Sequence, residues 1–260
     1  MSTLTPHNET IVDQHTRQAS GYAELTRRAA PTDSGELAAL LGATANDQVL
    51  DVACGPGSLA LQLAPHVAQV TGLDLTPAML DQAREAQQRA MAVGVRWIEG
   101  DAAAMPFADG SFDLVASRAA FHHFERPAGV LAEMARVCRS GGRVVVIDVT
   151  PDAEKTGAYD RMEAMRDPSH RHAHCVAELR GMGQALGLDE AAAETRMTGP
   201  MPYRSVLATS FPEGHSRDEL LALMREDAED GRDLLGFRAQ LYEGEVLVTY
   251  RMTTQVWQRP

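Results

Sequence analysis

Between residues 48 and 150, short apolar runs alternate with stretches whose apolar side chains recur at helical spacing. Val49 to Val52 is the first such run, followed by a glycine-rich turn and a helical stretch from Ser58 to about His66. Val67 to Leu73 reads as a second strand. Thr76-Pro77 then supplies a helix cap and a proline at the first helical position, where no N–H partner is needed. Met79, Ala83, Ala86 and Ala90 form one apolar stripe that stops near Gly94. Val95 to Ile98, Phe112 to Ala116 and Arg143 to Val149 are three further strands. Between the last two, Val130, Leu131, Met134, Val137 and Cys138 mark a helix that Ser140-Gly141-Gly142 closes. Strands separated by helices need crossover connections, which makes the strands parallel and covers both faces of the sheet.

The flanks are less regular. Residues 11 to 45 read as two helices, with Asp33-Ser34 starting the second and Gly42 ending it. After Thr150, helical stretches at Asp152 to Arg166, Val176 to Leu186 and Ser216 to Asp230 alternate with strand-like Ala192 to Met197 and Val246 to Trp257. Adding those two strands at the edge predicts an α/β fold: a doubly wound, Rossmann-like, mostly parallel seven-stranded sheet with helices on both faces. One domain is expected, organised as an N-terminal helical arm (1–45), a ligand-binding core (46–150) and late strands plus covering insertions (151–260).

Composition narrows the partners. The 24 Lys plus Arg against 36 Asp plus Glu give a formal charge of −12, a field that repels polyanions. With aromatics at 5%, stacking platforms for nucleic-acid bases are not expected either. No apolar run approaches the roughly 20 residues of a bilayer span, and MSTLTPHNET lacks the basic and apolar regions of a secretion signal. Three cysteines (Cys54, Cys138, Cys175) are expected to be reduced thiols. The expectation is a cytoplasmic protein acting on a small molecule, with no nucleic-acid or membrane partner and an oligomeric state that the sequence leaves open.

Asp51-Val-Ala-Cys-Gly-Pro-Gly-Ser-Leu-Ala60 follows the first strand. Its Gly-x-Gly-x-x-Ala pattern, with Asp74 ending the second strand, admits a dinucleotide. Asp51 argues otherwise, because a pyrophosphate there would meet a carboxylate at short range. A ligand carrying an ammonium and a sulfonium would be attracted instead. Asp74 suits the ribose hydroxyls, as an ionised acceptor with two oxygens.

The segments 51–57 (DVACGPG), 72–80 (GLDLTPAML), 100–107 (GDAAAMPF) and 109–113 (DGSFD) together resemble class I S-adenosylmethionine-dependent methyltransferases, in that family's order and spacing. The nearer likeness is to the branch of quinone-biosynthesis C-methyltransferases and small-molecule O- and N-methyltransferases. Residues 166–170 (RDPSH) resemble a few bacterial members of unassigned substrate. The resemblance implies S-adenosyl-L-methionine as cofactor. It implies that Asp51 and the backbone of Ala53, Gly55 and Gly57 hold its methionine part, with Asp74 on the ribose and Leu75 and Met79 near the adenine. Asp101 and the amide of Ala102 would meet the adenine edge, Ser117 and Arg118 would line the pocket near the sulfonium, and Gln18 and Tyr22 would close over the ligand. The branch often has an aromatic where this chain has His15.

The candidates for chemistry follow from strand ends. His122 and His123 come after the fourth strand, Asp148 ends the fifth, and ligands of such sheets sit outside the carboxyl ends of the strands. Asp148 can orient a histidine and raise its basicity, the arrangement of a general base. His170-Arg-His-Ala-His-Cys175 has zinc-type donors, but no second segment of ligands is evident; the expected reading is no metal, with Arg166 and His170 presented to substrate. The reading is methyl transfer to a small molecule, O- or C-methylation favoured. A nicotinamide-dependent oxidoreductase and a cofactor-binding module without turnover are the alternatives.

Overall fold

The computed structural model describes residues 4–29 and 33–260. Helix α1 (Pro6–Ala29) leads to α2 (Ser34–Leu40), whose first amides are capped by the Asp33 side chain. The core then runs β1 (Gln48–Val52), α3 (Ser58–Leu63), β2 (Gln69–Asp74), α4 (Pro77–Ala90), β3 (Val95–Glu99), β4 (Phe112–Arg118), α5 (Pro127–Val137) and β5 (Cys138–Val149). There follow α6 (Thr156–Arg166), α7 (Val176–Ala185), β6 (Asp189–Met197), β7 (Met201–Pro202), α8 (Tyr203–Ala208), α9 (Arg217–Asp230), β8 (Gln240–Tyr242), β9 (Glu245–Val248) and β10 (Arg251–Gln258).

The principal sheet has seven strands in the order β3-β2-β1-β4-β5-β10-β6. Strands β1 to β5 pair in parallel, and β10 runs antiparallel to both β5 and β6. The strand order reverses between β1 and β4, which opens a crevice at their carboxyl ends. The doubly wound α/β fold expected from the alternation is therefore the observed one.

Alternation along the strands divides the core. Leu50, Val52, Val144 and Val146 face α5 and α7, while Val49, Val70, Val145 and Ile147 face α2 and α3. A third cluster, built on Tyr159, Tyr203, Leu220, Met224, Phe237 and Val248, lies under a second sheet of order β7-β9-β8. That sheet corrects one expectation: the run Val246 to Trp257 is not one strand but two, β9 and β10, in different sheets. Ser140-Gly141-Gly142 also falls inside β5, not at the end of α5, which stops at Val137. A Cβ on Gly142 would lie 2.6 Å from Cys138 Sγ and 2.8 Å from the Asp113 carbonyl, so glycine is what lets the strand cross there. The expected helix at Asp152 starts four residues later, at Thr156.

Candidate active site

The loop after β1 spends its own hydrogen-bond donors. The amide of Cys54 donates to the Leu73 carbonyl, Gly55 to Asp74 Oδ2 at 2.7 Å, and Gly57 to the Cys54 carbonyl. Asp51 Oδ2 accepts from the Ala60 amide in the first turn of α3, and its Oδ1 has no donor among the described residues. With its amides engaged and a carboxylate beneath it, the loop is a poor cradle for pyrophosphate. Burial pushes the Asp51 carboxyl up to about 7 against the pull of the Arg118 guanidinium, so a cationic ligand group would find a neutral or anionic partner there. Burial also pushes the Cys54 thiol well above its usual value, which fits a small filler.

The two loop glycines serve different ends. At Gly55 (φ 52°) an added Cβ would meet nothing within 4 Å, so the left-handed turn leaves open space beside the backbone. At Gly57 (φ 80°) a Cβ would sit 2.4 Å from the Trp97 ring. Asp74 is buried, with Oδ1 accepting from the Thr76 amide at 2.8 Å; burial raises its carboxyl and these backbone donors oppose the rise. Met79 and Ala102 are buried nearby, and Leu75 is half-buried. Asp101 turns the chain after β3 by accepting from Ala103 through Oδ1 at 2.8 Å, while Oδ2 accepts from the Asn8 side chain at 2.9 Å. Arg118 donates to Ser58 and Gln62, and the buried Ser117 hydroxyl has no partner among the described residues.

The histidines arrive through a tight turn. Ala119 (φ 54°) breaks out of β4 and a 3₁₀ turn, Phe121–His123, carries both rings over the end of β5. Asp148 accepts from His122 Nδ1 at 2.7 Å, and from the amides of Val149 and Phe121, each at 2.7 Å. That carboxylate is held on three sides, so it can hold the ring in turn. Burial depresses the His122 pKa, but the charge and hydrogen bond of Asp148 outweigh it and the net shift is upward. The opposite holds for His123, which burial and the neighbouring His122 and His15 drive well below the ordinary value. His123 meets Ser169 Oγ at 3.1 Å, Ser169 donates to Asp167, and Asp167 Oδ2 accepts from Gln18 Nε2 at 3.0 Å.

Of two further residues that the sequence points to, His170 is buried and Arg166, the last residue of α6, is half-buried. Arg166 directs its fork at Glu163 and reaches Ser210 Oγ at 3.1 Å; its hydrogen bonds are spent on the protein. His170 Nε2 is bonded to Asp160 at 2.8 Å, its ring lies 5.6 Å from that of His122, and its Nδ1 has no partner among the described residues. Around the Arg166–Glu163 pair gather Tyr22, Tyr159, Tyr203 and Tyr250, each raised by burial and each within electrostatic range of Arg166. Nothing in the spacing of those four tyrosines foretells their meeting. Gln14 carries no motif in the sequence: it is fully buried, and neither atom of its amide is hydrogen-bonded among the described residues. A signal for it exists, since His7, Gln14 and Gln18 share one face of α1 at seven- and four-residue steps and all three are buried.

A seven-stranded sheet of this order, with a glycine-rich loop after β1 and Asp74 ending its neighbour β2, is a Rossmann-like fold of the nucleotide-binding type. Residues 50–146 match the family described as "Methyltransferase domain". The chain is 28% identical to an uncharacterised methyltransferase of Bacillus subtilis, YcgJ, over 73% of this chain and 75% of that protein. It is 42% identical to the demethylmenaquinone methyltransferase of Deinococcus radiodurans over 41% of this chain and 44% of that protein. The crystal structure of a candidate methyltransferase from Bacillus halodurans superposes with a TM-score of 0.76 at 26% identity, covering 88% of this chain and 99% of that one. These similarities support a class I S-adenosylmethionine-dependent methyltransferase, the family match covering residues 50–146. Among the described residues no helix is long and apolar enough to cross a membrane.

Proposed function

We propose that this enzyme methylates a small-molecule acceptor at oxygen or carbon, with His122 as general base and Asp148 holding its ring. The observation that carries this reading is the 2.7 Å contact of His122 Nδ1 with Asp148 at adjacent strand ends beside the ligand loop. When bound, S-adenosylmethionine supplies a methyl group already activated on sulfonium. The residues around it need to align an acceptor behind that carbon, and positioning of this kind is worth about 7 to 11 kcal/mol. His122 Nε2 takes the acceptor's proton while Asp148 stabilises the resulting imidazolium, adding roughly a hundred- to ten-thousandfold. His123, kept neutral, positions the wall through Ser169.

In this reading Asp51, with the backbone of Ala53, Gly55 and Gly57, takes the methionine end, Asp74 the ribose, Leu75, Met79, Asp101 and Ala102 the adenine. Ser117, Arg118, Gln18 and Tyr22 close the sulfonium side, and the open space at Gly55 and the unpartnered Ser117 and Gln14 side chains fit such a ligand. His170 and the tyrosines about Arg166 line the acceptor side. The quinone-modifying relative supports a cyclic small-molecule acceptor.

Calorimetric titration with S-adenosylhomocysteine and, separately, with NAD tests the cofactor assignment: only the former should bind. Asp74→Ala should weaken that binding by one to two orders of magnitude, the equivalent of a charge-assisted hydrogen bond at about 1.5 to 3 kcal/mol. Unchanged affinity would remove Asp74 from the site.

A further inference from the structure

Between α6 and α7 lies a cluster that the methyl-transfer site does not use. His172, His174 and Glu178 each offer a ligand atom, all within 4.8 Å of one another. His172 Nε2 is 3.2 Å from both carboxylate oxygens of Glu178, and His174 Nδ1 is 3.9 Å from Glu178 Oε2. Behind them, His172 Nδ1 is bonded to Asp160 Oδ2 at 2.7 Å.

The donor set has the chemistry of a metal site with its supporting carboxylate. A histidine that ligates through one ring nitrogen almost always donates the other N–H to a carboxylate, which fixes its tautomer. Asp160 does this to His172, leaving Nε2 directed at Glu178. Asp160 is itself fixed, since its Oδ1 accepts from the Ala173 amide and from His170. The His174 ring is about nine-tenths buried, yet neither its Nε2 nor its Nδ1 makes a hydrogen bond with any described residue. A buried imidazole without a partner is costly unless a ligand completes it. The Glu178 side chain (46% exposed) and that of His172 (37%) leave the cluster open to solvent on one side, as an entry path for an ion requires. Glu178 also caps α7 by accepting the Cys175 amide through Oε2, which leaves Oε1 for a further bond. The second ligand-bearing segment that the sequence did not reveal is thus α7, which brings Glu178 back onto the histidines.

We propose that His172, His174 and Glu178 bind one divalent transition-metal ion of the zinc class, with Asp160 holding the His172 ring and solvent completing the coordination. Two imidazoles and one carboxylate suit zinc or cobalt over magnesium or calcium, which prefer all-oxygen shells. Donor distances of about 2.0 to 2.2 Å around one ion ask for a modest closure of side chains whose ligand atoms already lie within 4.8 Å of one another. The ion would clip the 167–175 segment to α7 close behind His170, whose ring adjoins His122.

Calorimetry of the full chain, stripped with chelator and titrated with zinc chloride, tests this. One zinc per chain should bind, with His172→Ala and His174→Ala each weakening it at least a hundredfold. Asp160→Asn should weaken it by about 10- to 100-fold, the usual effect of losing a supporting carboxylate. Glu178→Gln, which can still cap the helix, should also weaken it at least tenfold, and magnesium should give no saturable heat. Thermal unfolding of each metal-free variant shows whether its fold is intact, independently of any cofactor. No saturable zinc binding, or binding undiminished in a folded His172→Ala/His174→Ala double variant, overturns the proposal.

Discussion

Asp148 governs the protonation of His122. Asp148 raises the His122 pKa from its ordinary value, so the acidic limb of turnover should lie on the high side of an ordinary histidine, rate rising as the base loses its proton. His122→Ala should cut turnover by roughly a hundred- to ten-thousandfold with cofactor affinity near normal. Asp148→Asn should cost less and move the acidic limb to lower pH, because the group that raises His122 is gone. If the pH profiles of parent and Asp148→Asn coincide, the pair does not govern turnover. Gln14 makes a second, opposite signature possible. Its buried amide has no partner among the described residues, so Gln14→Leu should raise the melting temperature of the ligand-free protein while weakening S-adenosylhomocysteine binding at least fivefold. A loss of both stability and affinity would mark Gln14 as ordinary packing. Of these residues, His122 and Asp148 were legible in the sequence because strand ends put side chains at the crevice whatever the details. Gln14 was not, because a polar residue on a helix declares its burial only once something is packed on that face.

Helix α1 makes three side-chain bonds to other loops, two near its start and one further along: His7 to the His123 carbonyl at 2.7 Å, Asn8 to Asp101, and Gln18 to Asp167. Each reaches a different loop, and in the proposed reading α1 lifts as a unit to admit the nucleoside, breaking one neutral bond of about 0.5 to 1.5 kcal/mol and two bonds to carboxylates of about 1.5 to 3 kcal/mol each. Hydrogen exchange over residues 6–29 should therefore slow when S-adenosylhomocysteine binds, and over α6 to α8 only when an acceptor is present too. Protection confined to 48–150 would mean that neither segment is a lid. The elements themselves were mostly readable: periodicity located β1 to β5 and α4, and Asp33-Ser34 marked the start of α2, whose first amides Asp33 caps. The errors came where tertiary contacts overrode local pattern. Gly141 and Gly142 looked like a helix stop and are the point where β5 squeezes past Cys138 and Asp113. The strand from 246 to 257 divides at Thr249-Tyr250, because the amide of Thr249 is taken by Phe237 and that of Tyr250 by Thr198.

At the scale of the molecule, a mostly parallel sheet and a smaller lobe meet around one ion pair. The lobe's tyrosines, Tyr159, Tyr203 and Tyr250, lean on the same Glu163–Arg166 pair that reaches Tyr22 of the arm. Composition could not show this: five tyrosines among 260 residues say nothing of how four converge. The sheet order carries its own consequence for how the chain comes into being. Within the principal sheet β6 pairs only with β10, and β10 fills the space beside β5. During synthesis, the apolar edge of Val144 to Ile147 and the whole of β6 wait without a neighbour until residue 258 has left the ribosome. Unpaired edges of this kind invite association with other chains. Nascent chains arrested just before residue 251 should consequently stay open to protease across 189–197 and bind holding chaperones, and releasing the next ten residues should abolish both. Protease resistance of 189–197 before β10 emerges would show that the edge is guarded in some other way.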